Sequence, residues 1–218
     1  MNADDATAQT SLLTRAAGGD VDAWSALLSL HQDRLHSVIA FRLEPCLRRR
    51  VDAADVMQEA FIAATARRAE FFRQSRQPLF LWLRWMVSNT LLELHRHHLK
   101  AQMRDPRREI TSRPGGDGEG SDTTRAALVA ELTGGATGPA TAAGQAEVRA
   151  RVNAALEGMD ATDREVLALR HFEQLTSSEA AQVLEIQERA AAKRYTRALE
   201  RLREILAEMP GGLTELRP

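Results

Sequence analysis

Residues 160–207 read DATDREVLALRHFEQLTSSEAAQVLEIQERAAAKRYTRALERLREILA, and this stretch decides the fold. Two helix starts are written into it. Thr162 is followed three residues later by Glu165, and Thr176 by Glu179. In each pair the hydroxyl can cap a free amide while the glutamate reaches back to the cap residue. From Thr176 a short helix is expected to about Leu184, its small apolar face made by Ala180, Ala181, Val183 and Leu184. Glu185, Ile186 and Gln187 then make a turn, and a longer helix begins near Glu188. In that helix Ala191, Tyr195, Ala198, Leu202 and Ile205 fall on one stripe at helical spacing. A short alanine-rich helix, a three-residue turn and a longer helix form a helix-turn-helix pattern.

The second helix is basic. Arg189, Lys193, Arg194, Arg197, Arg201 and Arg203 face only Glu188 and Glu200, a local excess of four positive charges in a chain of net charge -1. Arg189, Lys193, Arg197 and Arg201 recur every fourth residue and so form a ridge opposite the apolar stripe. Such a ridge can reach phosphates and guanine edges from within the major groove. A solvated helix face with snorkelling arginines has the same spacing; the turn beside it favours nucleic acid.

The remainder of the chain sets the frame. It has 218 residues, 44% hydrophobic and 27% charged, enough to bury a core in one or two domains. Aromatics are sparse at 5%, and alanine, leucine and arginine favour helix. No apolar run is long enough to span a bilayer, and the polar, acidic start MNADDATAQT is no secretory signal. Cys46, the single cysteine, excludes an internal disulfide and a multi-cysteine zinc site. A cytoplasmic location is expected.

Residues 11–104 read as one helical block. Leu12, Leu13 and Ala16 lead to a break at Gly18, Gly19 and Asp20. Trp24, Leu27, Leu28, His31, Leu35, Val38 and Ile39 give the next helix. A third, over about 53–68, turns Val56, Met57, Ala60, Phe61 and Ala64 inward and shows Asp52, Asp55, Gln58 and Glu59 on its outer face. Residues 73–77 read as a polar loop, and Pro78 suits the first turn of a fourth helix, 79–103. Trp82 and Trp85 lie three apart on it, so only one of them can point fully inward. An exposed aromatic beside a basic helix end is a stacking platform for unpaired bases. Residues 105–145 have linker composition, rich in glycine and proline, with one short candidate helix at 123–132. Helical pattern resumes at 146 and continues to 209. The expected architecture is all-α: two helical domains on a flexible tether.

Catalytic patterns are missing. His95, His97 and His98 are spaced i, i+2, i+3 without HExxH, so they read as a polar helix face and not as metal ligands. There is no GxxxxGKS loop and no nucleophile elbow. Neither an enzyme nor a cofactor is expected.

The segments DAADVMQEAFIAA (52–64) and FLWLRWMVSNTLLELHRHH (80–98), joined to the helix-turn-helix, resemble the extracytoplasmic-function (ECF) group of bacterial RNA polymerase sigma factors. The form HFEQLTSSEAAQVLEI followed by AAAKRYTRALERLREIL looks most like the planctomycete-type branch. The resemblance implies a region-2-like bundle, a region-4-like helix-turn-helix, and a role for each face. Asp52, Asp55, Gln58 and Glu59 would dock on the clamp helices of the largest subunit of core RNA polymerase. Residues 71–77 would capture a flipped base of the minus-ten element. Trp82, Trp85, Ser88, Asn89, Arg96 and Lys100 would melt and hold its non-template strand. Arg189, Lys193, Arg194 and Arg197 would read the minus-thirty-five element of promoter DNA as duplex. Residues 163–172 would meet the flap of the second polymerase subunit. An anti-sigma factor is a further partner the family allows, and the free chain would be a monomer without membrane insertion. A helix-turn-helix regulator working without polymerase is the alternative.

The sequence also departs from that family. Gly158 and Met159 stand where Leu-Pro is frequent, and Glu93 stands near a usual aspartate. Glu185 stands where the turn frequently carries glycine; a glutamate can make the turn if its backbone stays at negative φ. Ala190, Ala191 and Ala192 open the recognition helix, which leaves few side chains for direct base readout and shifts weight to DNA shape.

Overall fold

The computed structural model describes residues 3–43, 47, 50–104 and 142–209. All regular structure among the described residues is helical. The chain divides into two compact units, Met1–Gly116 and Asp117–Pro218. Most of the expected linker, its candidate helix 123–132 and Cys46 lie outside the described residues.

The first unit contains α1 (Ala3–Ala17), α2 (Val21–Arg42), α3 (Ala53–Ala66), α4 (Arg68–Gln74) and α5 (Leu79–Arg104). Its first helix therefore begins well before residue 11. The α1–α2 corner is made by local chemistry. Gly19 sits at φ +98, a conformation glycine adopts without steric cost, and Asp20 N–H donates to the Arg15 carbonyl at 3.1 Å. Asp20 then caps α2 by accepting from Ala23 N–H at 3.0 Å and pairs with Arg15 at 2.7 Å. The Ala23 bond first, and Arg15 second, hold the Asp20 carboxyl below its ordinary pKa.

The core of this unit lies where α2, α3 and α5 meet. Trp24, Leu27, Leu35, Val38 and Ile39 from α2 are buried against Val56, Ala60 and Ala64 from α3 and Phe80, Leu83 and Val87 from α5. Trp24 is its largest fully buried side chain. Its ring packs edge-on to Phe72 at 6.0 Å and to Trp82 at 6.4 Å, and its indole N–H donates to Thr65 Oγ1 at 3.1 Å. The expected loop at 73–77 is shorter than the sequence suggested. Residues to Gln74 are helical because Phe71 turns inward, 7% exposed, onto Trp82 at 5.0 Å.

The second unit contains α6 (Ala142–Gly158), α7 (Ala161–Leu167) with a π-helical continuation (Ala168–Phe172), α8 (Ser177–Val183) and α9 (Glu188–Glu208). Helix α6 starts at Ala142, so Gly144 is helical and not part of the tether. Helix α9 packs on α6, α7 and α8 through Ala191, Ala198, Leu199, Leu202 and Leu206, all buried. The π segment buries Ala168, Leu169 and Phe172 and points His171 at Tyr195 of α9, ring nitrogen to hydroxyl 2.7 Å.

One of the two expected capping boxes forms. Thr176 accepts from Glu179 N–H at 3.1 Å while Glu179 accepts from Thr176 N–H at 2.8 Å. The Thr162–Glu165 pair does not start a helix. Asp160 is the N-cap of α7 and accepts from Thr162 N–H at 2.8 Å. A carboxylate two residues earlier takes the position because it is the stronger acceptor. That hydrogen bond, chiefly, lowers the Asp160 pKa from 3.8. Its stabilising contribution is therefore complete above that value and fades as the pH falls through the lowered folded-state pKa.

The turn between α8 and α9 overturns the expectation for Glu185. Its φ is +54. Ile186 N–H reaches the Ala181 carbonyl at 3.0 Å and Glu185 N–H the Gln182 carbonyl at 3.3 Å. This is the Schellman closure of a helix, the same device that ends α1, and its geometry demands a left-handed residue whatever the side chain. A non-glycine residue pays roughly 1–2 kcal/mol for that conformation. Glu185→Gly should accordingly stabilise the second unit by about 1 kcal/mol, since glycine's larger unfolded-state entropy offsets part of the gain. A higher midpoint of chemical denaturation is expected; an unchanged or lower one contradicts the assignment.

Candidate nucleic-acid interface

The basic surface of the second unit is the outer face of α9. Arg189, Lys193 and Arg197 are exposed, while Ala191, Ala198 and Leu202 lie on the buried side. Three cations on successive turns thus stand clear of the unit's core, on the helix that follows the turn. Arg194 is half-buried and flanks this ridge. Gln187, the N-cap of α9, makes no side-chain capping bond.

Arg201 does not extend the ridge as its spacing suggested. Its guanidinium hydrogen-bonds the Asp163 carboxylate of α7. Asp163 is buried, its side chain 8% exposed, and a buried carboxylate requires a counter-charge. Asp163 also raises the Arg201 pKa, by its hydrogen bond first and its charge second. This pair ties α9 to α7. The residues are 38 apart in sequence, so helical periodicity could not reveal the contact.

In the first unit a second face forms along α5. Trp85, Asn89, Leu92 and Arg96 follow one another at i, i+4, i+7 and i+11, within one helical stripe. Trp85 is 44% exposed and Leu92 47% exposed. Arg96 is exposed, and Asn89 and Ser88 are half-buried. Ser88 donates its hydroxyl hydrogen to the Arg84 carbonyl at 3.0 Å, so only its acceptor capacity faces outward. Lys100 lies within α5, and its side chain falls outside the described residues.

The two tryptophans divide as their spacing required. Trp82 is 8% exposed and packs on Trp24 and Phe71, so it supports the site from beneath and presents almost no free surface. Trp85 is the exposed ring. Next to it opens a cleft of 240 Å³ lined by Glu70, Phe71, Gln74, Ser75, Gln77, Trp82 and Trp85. An aromatic floor with amide, hydroxyl and carboxylate groups around it suits a planar, hydrogen-bonding ligand. Arg67 was not singled out from sequence. Its guanidinium carbon lies 5.3 Å from the Trp85 ring centroid, and its Nε donates to Glu70 at 3.0 Å. Only the fold, which starts α4 at Arg68 and turns the chain beneath α5, brings it there.

A third surface borders α3. Asp52 is the N-cap of this helix and not a member of its outer face. Asp52 accepts from Asp55 N–H at 2.9 Å, and Asp55 accepts from Asp52 N–H at 3.4 Å, a reciprocal cap. Both carboxylates are exposed yet committed to starting the helix. Gln58 and Glu59 are exposed a turn later. Beside them a groove of 760 Å³ runs between α2 and α3, lined by Gln32, His36, Ala54, Met57, Gln58, Phe61 and Ile62 among others. Ile62 is 63% exposed at its edge. No helix among the described residues is long and apolar enough to cross a membrane.

The helix-turn-helix and its basic ridge place the second unit among DNA-binding modules. Comparison with known families is in keeping with this: residues 149–202 match sigma-70, region 4. Among solved structures, the fold is similar to that of CnrH in complex with the cytosolic domain of CnrY, at 23% identity and a TM-score of 0.53. The match covers 91% of this chain and 97% of that one, so both helical units take part in the likeness, which is one of fold. The sigma factor RpoE, solved with the anti-sigma factor NepR from Bartonella quintana, matches at 18% identity and a TM-score of 0.48, over 87% of this chain and 99% of that one. No curated protein sequence matches the chain.

Proposed function

We infer that this chain is a sigma factor of the ECF type, which recruits core RNA polymerase to promoters and assists their opening. The observation that carries this reading is the sigma-70 region 4 domain with Arg189, Lys193 and Arg197 exposed on its recognition helix. The second unit binds the minus-thirty-five element as duplex, its basic helix tied to α7 by the Asp163–Arg201 pair. Arg194, half-buried, contributes at the flank.

The first unit works on the minus-ten element. Trp85 stacks a base of the non-template strand, Asn89 and Arg96 follow that strand along α5, and Lys100 extends the path. The cleft beside Trp85 takes a flipped base, with Trp82 as buried support. Extruding a base costs a few kcal/mol, which stacking and hydrogen bonding in such a cleft offset. The groove between α2 and α3, with Gln58 and Glu59 at its margin, receives the polymerase clamp helices. Its apolar lining and polar rim suit a protein partner. Asp52 and Asp55 serve that surface by fixing the start of α3.

The chain itself performs no covalent chemistry; polymerase supplies it. The factor acts in the cytoplasm, where polymerase is. An anti-sigma factor as protein partner belongs to the same proposal; CnrH was solved in complex with the cytosolic domain of CnrY.

Trp85→Ala tests the melting role. Trp85 is partly exposed, so the fold should tolerate its loss. Loss of one stacked base costs about 1–3 kcal/mol, which should appear as a roughly 5- to 150-fold fall in open-complex formation, with upstream duplex binding intact. Permanganate reactivity of unpaired thymines in the polymerase complex measures it, and wild-type reactivity would remove Trp85 from the strand path.

A further inference from the structure

The three alanines at the head of the recognition helix are not equivalent. Ala191 is 2% exposed and belongs to the core, whereas Ala190 and Ala192 face outward. Ala190 lies on the same helical row as Lys193 and Arg197, at i, i+3 and i+7. It is also beside Arg189 at the N-terminal end of α9, the part of a recognition helix that meets base edges. A side chain ending at its β-carbon has no hydrogen bond to offer. It offers two other things: an apolar methyl, and a close approach of the helix to the groove floor.

In the major groove only one natural base presents an apolar group, the C5-methyl of thymine. We propose that Ala190 is a specificity-determining residue that reads a thymine methyl in the upstream promoter element. This rests on the duplex-binding role assigned to α9 and deepens it. Arg189 and Lys193 supply the hydrogen bonds to neighbouring base edges and phosphates, while Ala190 discriminates by contact between methyl groups. Adenine, guanine and cytosine put polar groups or bare ring edges at that point, which leaves the alanine methyl without an apolar partner.

The test uses the full chain bound to core polymerase. Upstream elements are first selected from a randomised duplex pool. Each thymine of the selected element is then replaced singly by deoxyuridine, which removes the methyl and nothing else. One replacement should weaken binding about fourfold, the equivalent of one buried methyl group, and the others should have little effect. In Ala190→Gly the thymine-to-deoxyuridine ratio at that position should fall to about one. Because glycine loosens the helix, Ala190→Ser is measured in parallel; it keeps the helix, hydrates the contact, and should also lose the ratio. Selective binding that ignores every deoxyuridine overturns the inference but leaves α9 as the duplex reader. An unchanged ratio in both variants overturns it as well. If no upstream sequence is selected at all, the duplex-binding role falls and the inference with it.

Discussion

Trp24→Ala should lower the unfolding free energy of the first unit by about 3–5 kcal/mol, a large part of the roughly 5–15 kcal/mol available to a domain. The residue is 1% exposed and joins three helices at once. Its indole meets Phe72 and Trp82 edge-on and donates to Thr65 on α3. Truncation removes a large apolar volume, leaves a cavity and loses the hydrogen bond to the Thr65 hydroxyl. The consequence reaches the proposed base-binding cleft beside Trp85, because Trp82 lines it. Trp24→Phe keeps ring packing but loses the hydrogen bond, and should cost less. Chemical denaturation followed by circular dichroism gives both values. A Trp24→Ala variant within 1 kcal/mol of wild type, on the scale of an exposed substitution, would mean that the three-helix core is wrongly assigned.

The double substitution Lys193→Ala with Arg197→Ala should weaken binding to the upstream promoter half on the order of 100-fold at moderate salt. Each cation carries about 1–3 kcal/mol where it contacts a base edge or phosphate. The slope of log affinity against log salt should become shallower by about 0.9 for each phosphate that is no longer neutralised. Both side chains are exposed, so the fold should change by no more than about 0.5 kcal/mol. Association with core polymerase should persist, since the groove between α2 and α3 belongs to the other unit. Glu59→Lys makes the reciprocal case. It should impair capture of core polymerase while leaving stability unchanged, and it is a cleaner probe than Asp55→Ala, which also removes half of the α3 cap. Equal salt slopes for wild type and the double variant would take the ridge out of the DNA interface.

Local patterns in the sequence foretold local structure well. The Thr176–Glu179 cap and the turn at 185–187 depend on residues a few positions apart, and both form; of the expected stripe beneath α9, Ala191, Ala198 and Leu202 are buried, Tyr195 and Ile205 are half-buried, and Leu199 and Leu206 are buried beside them. The division of Trp82 and Trp85 followed from helical geometry alone. What sequence could not supply was competition between neighbours and contact at long range. Asp160 and Thr162 both fit a helix start, and only the stronger acceptor took it. Asp52 and Asp55 looked like a free acidic face because their reciprocal cap uses aspartate where the usual pattern has glutamate. Glu185 was read as able to make the turn at negative φ, yet the closure of α8 places it in the left-handed conformation. Arg201 was read as a free cation because its partner, Asp163, lies on a different helix. The cleft beside Trp85 required α4, which shortened the expected loop and carried Glu70 and Gln74 to its rim.

The central claim is that one chain carries two helical units which together direct polymerase to particular start sites. Transcription in vitro from genomic fragments, with purified bacterial core RNA polymerase and this chain added or omitted, tests it most directly. New discrete RNA 5′ ends should appear only with the chain, and should be lost with the Lys193→Ala, Arg197→Ala variant. An unchanged set of 5′ ends, from core polymerase to which the chain does not bind, would contradict it.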